Sequence, residues 1–346
     1  MLVFHGIATF LALLVTQCTM FDTPAKAADR LVASWRTYAD RFITSDGRVV
    51  DNANGNVSHS EGQGYAMLLA ERLDDRATFA RIWRWSKEQL FIRDDGLAAW
   101  RWDPNSKPNV TDYNNATDGD LLIAWALSNA AIRWNVADYA DAARRIADAL
   151  ATQVIANSRF GSVLLPAVKG FGPTDQRDGP VINLSYWVFP ALEHLRAVSG
   201  KADWDAFTRT GESLIRSSRF GPRRIPTNWI SLAADEPTPA QSFPAVFGYD
   251  AIRIPLYLAW GSSSARELLR SFPSLELAVI DANTGQTREV LSDPDYQAIA
   301  ALAACVKSDT PASLSKLDYN GRFYYPASLH LLSLVAARDV NSACLE

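Results

Sequence analysis

The sequence predicts an all-α fold, and two observations carry that prediction. Apolar residues recur at helical spacing through about eleven stretches, whereas strand-like alternation is short and scattered. Four helix starts, at residues 61, 118, 185 and 250, lie 57, 67 and 65 residues apart. That interval suits a helix, a turn, a return helix and a long loop. Such hairpins, closed into a ring, would make an inner barrel of alternate helices. Their N-termini would share one end of the barrel with the long loops.

The first helical pattern runs from Leu31 to Phe42, with Leu31, Trp35, Tyr38 and Phe42 on one face. Ser45-Asp46-Gly47 signals a turn inside a small hairpin over 43–50. Ser60 and Gln63 read as a capping box that starts a helix at about Glu61, running to about Leu73. Gly62 and Gly64 leave open space beside Glu61 for a ligand. The return helix spans Arg76 to Leu90. Residues 91–116 lack periodicity but hold Trp100 and Trp102, which points to a functional loop rather than a disordered one.

Thr117 and Asp120 form a second capping box ahead of the apolar run Leu121 to Trp134. Asp118 thereby takes the same first-turn position as Glu61. The partner helix covers Ala137 to Val154. The starts near Ser185 and Asp250 carry Pro190 and Pro255 five residues in, so these helices are kinked or begin late. Further helices are predicted over 203–217, 263–272, 294–306 and 326–338. The Pro-rich stretch 219–248 contains Trp229, and Leu275 to Leu291 reads as a hairpin around Asn283-Thr284-Gly285.

Composition narrows the function. The chain has 346 residues, a net charge of −4 and no basic run, which argues against a nucleic-acid partner. Eleven Trp, eleven Tyr and fifteen Phe supply rings for a core and for a cleft that stacks sugars. The four His show no metal-ligand spacing, so no metal is expected. Residues 1–27 resemble an export signal: the apolar run Ile7 to Val15 is too short to span a bilayer, and Ala25-Lys26-Ala27 fits a cleavage site. Residues 28–346 would then be one exported domain, periplasmic or secreted, with no stable membrane insertion. Cys305 and Cys344 remain in it, and whether they pair is open.

Three carboxylates at one mouth suit glycosidic hydrolysis, which needs a proton donor and a second carboxylate. An inverting enzyme holds the two roughly 6.5–9.5 Å apart, with a water between them and the sugar. Acids on separate inner helices can meet that separation. A helix N-terminus lowers a carboxyl's pKa, whereas burial and like charges raise it, and the second effect is expected to win at one position only. The simpler alternatives are plain ones. Glu61 and Asp118 would complement helix dipoles, Asp250 would be an N-cap paired with Arg253, Asp120 would be the capping-box acid, and about half the Trp would fill the core.

At these residues the chain resembles glycoside hydrolase family 8. The matching segments are 60–67 (SEGQGYAM), 116–120 (ATDGD), Ser185-Tyr186-Trp187, and Tyr249-Asp250-Ala251-Ile252-Arg253 with Pro255. The resemblance implies an (α/α)6 barrel and inverting hydrolysis of β-1,4-glucan. Glu61 matches the general acid, Asp250 the general base, and Asp118 the acid that holds and distorts the sugar at the cleavage point. Tyr186 and Arg253 match residues lining that point. Trp100, Trp102 and Trp229 are assigned as stacking platforms on physical grounds. Trp187 stands where many members carry Phe. The segments are most similar to the branch that works beside bacterial cellulose synthase, which makes that machinery an expected partner. No cofactor is expected, since acid–base hydrolysis needs none. The alternatives are a relative acting on mixed-linkage glucan, xylan or chitosan, and a glycan-binding subunit without turnover.

Overall fold

The computed structural model describes residues 24–308 and 314–345. Eleven α-helices are present among them: α1 Pro24–Phe42, α2 Ser60–Arg72, α3 Arg76–Gln89, α4 Thr117–Trp134, α5 Ala137–Gln153, α6 Phe189–Leu195, α7 Trp204–Ser217, α8 Arg253–Trp260, α9 Ser263–Ser271, α10 Gln297–Ser308 and α11 Tyr324–Val340. None is long and apolar enough to cross a membrane. The export signal expected over 1–27 lies mostly outside the described residues. Ala27 belongs to the start of α1 and is buried there.

Helices α2, α4, α8 and α11 are apolar almost all round, which marks helices covered on every side. They form the inner wall. α2 packs on α4, α4 on α6, α6 on α8, α8 on α11, and α11 returns to α2. The amphipathic helices lie outside: α1 on α11, α3 on α2, α5 on α4, α7 on α6 and α9 on α8. α10 packs against α8, α9 and α11. α10 starts at the mouth, between α8 and α11, and so supplies the sixth inner helix of an (α/α)6 barrel. A disulfide joins Cys305 on α10 to Cys344 and ties down the C-terminal segment.

The two expected capping boxes are not formed. The Gln63 side chain turns inward, accepting from Val49 N (2.7 Å) and donating to Ser86 Oγ (2.8 Å). It thereby fastens the 43–50 turn to α3. Thr117 Oγ1 donates to Leu165 O, and Asp120 accepts from Ala98 N (2.8 Å) and the Asn115 amide (3.0 Å). A buried helix end offers these side chains partners from other segments, and those bonds replace the local ones. The glycines near Glu61 also serve packing rather than ligand access. A Cβ on Gly62 would lie 2.6 Å from Tyr324 Oη, and one on Gly64 would lie 2.6 Å from Leu122 Cβ. Gly119 likewise lets the start of α4 abut the start of α2. Trp187 is wholly buried, donates to Phe207 O (2.9 Å), and fills the space that Gly211 leaves on α7.

Short strands shape the mouth. β1 (Ser58–His59) pairs antiparallel with β2 (Arg101–Trp102), which lays the 91–116 loop beside the start of α2. β3 (Ile155–Ser158) and β4 (Gly161–Leu164) form a hairpin after α5. β5 (Val181–Ile182), β6 (Ile230–Ser231) and β7 (Thr238–Pro239) form a small sheet. So do β8 (Val246–Phe247), β9 (Ala278–Asp281) and β10 (Thr287–Val290), the last two being the hairpin expected around Asn283.

Candidate active site

Glu61 and Asp118 each occupy the second residue of an inner helix, as their parallel motifs predict. Asp250 precedes α8, which begins late, at Arg253. Asn228 Oδ1 accepts from Gly248 N (3.0 Å) and Ala251 N (3.1 Å) and so fixes the turn that carries Asp250. Ser185 and Tyr186 lie in a short 3-10 turn ahead of α6, where Asn183 caps the Ser185 amide.

These four starts meet around one side chain. Arg253 is 2% exposed and bonds all three carboxylates. Its Nη1 donates to Glu61 Oε1 and, at 2.9 Å, to Asp118 Oδ2. Its Nη2 donates to Asp250 Oδ1 (3.2 Å) and Ser185 Oγ (2.9 Å). Glu61 and Asp250 are thus held on different arms of one guanidinium. Tyr65 Oη donates to Glu61 Oε1 (2.9 Å) and contacts Tyr257 Oη (3.1 Å), and the Arg253 guanidinium lies 5.7 Å from the Tyr186 ring centre.

Three carboxylates against one cation cannot all ionise cheaply in a buried site. Burial pushes Asp118 up to about 8, and the charges of Asp250 and Asp120 add to the rise. Burial pushes Asp250 up to about 6 against the opposing pull of Asn183. Asp120, which faces away from Arg253 toward Ala98 and Asn115, is raised by burial to about 7. Among the candidate acids the upward effect therefore wins at two, Asp118 and Asp250, rather than at one, and it also wins at Asp120. Asp118 and Asp120 are enclosed by the packed helix starts, so desolvation there exceeds what the helix dipole offers, while Asp250, at the cleft floor ahead of its helix, rises less.

A cleft of about 630 Å³ opens over this cluster. Glu61, Asp250 and Arg253 lie in its floor, and Tyr249, Tyr296 and Tyr325 in its wall. None of the three predicted tryptophans lines this cleft, and they stand at different removes from it. Trp100 is half-buried, lies nearly parallel to the ring of His59, itself a cleft residue, and donates to Asp112 Oδ2 (2.8 Å). Trp229 is half-buried, 6.3 Å from Tyr186, and is backed by Phe171 and Phe243 in near-parallel stacks. Trp102 packs edge-on against Trp85 with the Arg48 guanidinium over its ring, so more of its surface serves the loop than the cleft. The motifs did not single out Tyr325, His59 or Asn228. Tyr65, four residues after Glu61 on the same helix face, was legible from spacing alone.

A family model described as glycosyl hydrolases family 8 matches residues 9–339. An endoglucanase of Cellulomonas uda is 36% identical over 283 residues, which cover 80% of this chain and 77% of that protein. A probable endoglucanase of Novacetimonas hansenii is 34% identical over 323 residues, covering 90% and 92%. Among solved structures, the endo-β-1,4-glucanase CMCax of Acetobacter xylinum superposes with a TM-score of 0.77 at 32% identity, over 90% of this chain and 99% of that one. The chain belongs to glycosyl hydrolase family 8.

Proposed function

We propose that the protein is an endo-β-1,4-glucanase that cleaves cellulose chains with inversion. The observation that carries this reading is the cluster itself: acids from three separate helix starts share one buried arginine at the floor of an open, aromatic-walled cleft. Glu61 protonates the leaving glycosidic oxygen. Asp250 takes a proton from a water as that water attacks the anomeric carbon, and the C–O bond to the leaving sugar breaks. The acid and base then exchange protons with solvent. Asp118, held by Arg253, grips the sugar at the cleavage point, and Tyr186 covers it. Trp100 and Trp229 stack neighbouring sugars, with Trp102 in support.

The reading includes export of the mature domain 28–346 to the periplasm or medium. It also includes an accessory role beside bacterial cellulose synthase. The apolar run before Ala25-Lys26-Ala27 supports the first, and the similarity of the motifs to that family branch supports the second.

The test is release of reducing ends from soluble carboxymethyl-cellulose by wild type and Glu61→Gln. The expected outcome is release by wild type and a loss of about 10²–10⁴-fold in the variant. Equal release by both would remove Glu61 from the mechanism. No release by either would turn the reading to mixed-linkage glucan, xylan or chitosan. The anomeric configuration of the first product, followed by NMR, separates inversion from retention.

A further inference from the structure

We propose a second glucan-binding patch outside the cleft, built on Tyr113 and Ile92, which holds the stretch of the same polysaccharide chain that runs on past Trp100. The proposal rests on the endoglucanase reading above, since that reading names the ligand.

Among the described residues few large apolar side chains are exposed, and two of them, Tyr113 (54%) and Ile92 (41%), border one hollow of about 570 Å³. The Arg93–Asp95 pair, Asp94, Asp112, Asn114, Val168 and Lys169 complete its lining. An exposed ring beside short polar groups that accept and donate is the chemistry of an uncharged polyol, with ring stacking for the sugar face and hydrogen bonds for its hydroxyls. The mixed rim charges suit neither a strong anion nor a strong cation.

The patch is also continuous with the cleft. Asp112 on its rim accepts from Trp100 Nε1, and Trp100 lies parallel to His59 with ring centres 6.0 Å apart. His59 is a cleft residue two positions before Glu61. A chain leaving the cleft across His59 and Trp100 therefore meets Asp112 and then Tyr113. The surface is held in shape beforehand. Arg93 pairs with Asp95 and donates to Tyr113 O, while Asn114 and Lys169 exchange two bonds that join the 91–116 loop to its neighbour. Such preorganisation lowers the cost of binding.

The experiment compares wild type, Tyr113→Ala and Tyr113→Phe. Activity is read on long carboxymethyl-cellulose and on a short soluble cello-oligosaccharide. Retention is read by affinity electrophoresis in hydroxyethyl-cellulose gels, with all three forms in a Glu61→Gln background so that no turnover is involved. For Tyr113→Ala, KM on the long polymer should rise about fivefold, roughly 1 kcal/mol at 1.4 kcal/mol per decade. Activity on the oligosaccharide should not change, and retention in the gel should fall. Tyr113→Phe should restore the long-polymer KM, because the ring face does the binding. An unchanged ratio of long to short activity together with unchanged retention overturns the patch while leaving the catalytic reading intact. Absence of β-1,4-glucan hydrolysis in wild type overturns the catalytic reading instead. The patch is then judged on retention alone, and equal mobility of the Ala and Tyr forms rejects it. Specific capture of a protein by the Tyr forms, with no glucan retention, would also overturn it.

Discussion

The two ends of the barrel share helices α2 and α4 but carry opposite electrostatics. At the mouth, the starts of α2, α4 and α8 bring Glu61, Asp118 and Asp250 to the single cation Arg253. At the far end, the last turns of α2, α4 and α11 carry Arg72, Arg133 and Arg338, which pair with only two acids. Glu71 accepts from Arg72 (2.5 Å) and Arg133 (2.6 Å), and Asp339 accepts from Arg72 (3.0 Å) and Arg338 (3.3 Å). Cations at helix C-termini complement the dipole, so this end is electrostatically settled. Arg72 also covers the Trp125 ring, which itself packs against Trp260. The far end spends its charges on holding helices together. The mouth buries Asp118 beside other acids and desolvates Asp250, and so raises the proton affinity of both. The fold keeps both ends, and only the second arrangement suits acid–base chemistry.

Four changes should break or sharpen this contrast. Arg253→Met has the largest expected effect, because it removes the cation that three clustered acids share, one of them, Asp118, fully buried. Breaking such a pair costs about 3–5 kcal/mol, and the urea midpoint should drop accordingly while hydrolysis disappears. A folded and active Arg253→Met protein would refute the account of the mouth.

Asp250→Asn comes next. Loss of the general base should lower kcat on soluble glucan by about 10²–10⁴-fold, with thermal stability equal to or above wild type because one of three acids crowding Arg253 is gone. A stability loss of the size expected for Arg253→Met would instead make Asp250 a structural anchor.

The pH profile is the third. Asp250 works as a base only when ionised, and burial holds it up to about 6. Below that value kcat/KM should fall about tenfold per pH unit, and above it the curve should level. A profile already flat from about pH 4 would show that the base ionises as an ordinary carboxylate.

Glu71→Gln should do least, and should act on the other property. Glu71 is buried and holds two arginines, but Arg133 is substantially exposed and Arg72 keeps Asp339, so the loss is partly repaired. Stability should fall by about 1–2 kcal/mol with the activity of the folded fraction unchanged. A fall in kcat would couple the two ends in a way the contacts do not show.

Much of this was legible before folding was considered. Glu61 and Asp118 share a helical position because each follows a small polar residue at a helix start, and that is local information. The late start of α8 was legible from Pro255, and the 278–290 hairpin from Asn283-Thr284-Gly285. Gln63 and Asp120 were misread as caps because a capping box is written in four consecutive residues. Their true partners, Ser86 and Ala98, lie 23 and 22 residues away. Arg253 illustrates the same limit at the site. Its i−3 pairing with Asp250 was visible, but its contacts with Glu61 and Asp118 span 192 and 135 residues.

The sequence by itself determined the helical class, the order of the hairpins and which acids stand in first turns. Those properties follow from apolar periodicity and neighbouring residues, and they survive whatever the rest of the chain does. Tertiary structure alone decided that the helix starts converge, that one arginine would serve three carboxylates, and that Asp118, Asp120 and Asp250 would all be driven toward their protonated forms. Those outcomes depend on desolvation and on long-range contacts, which exist only once the ring of hairpins has closed.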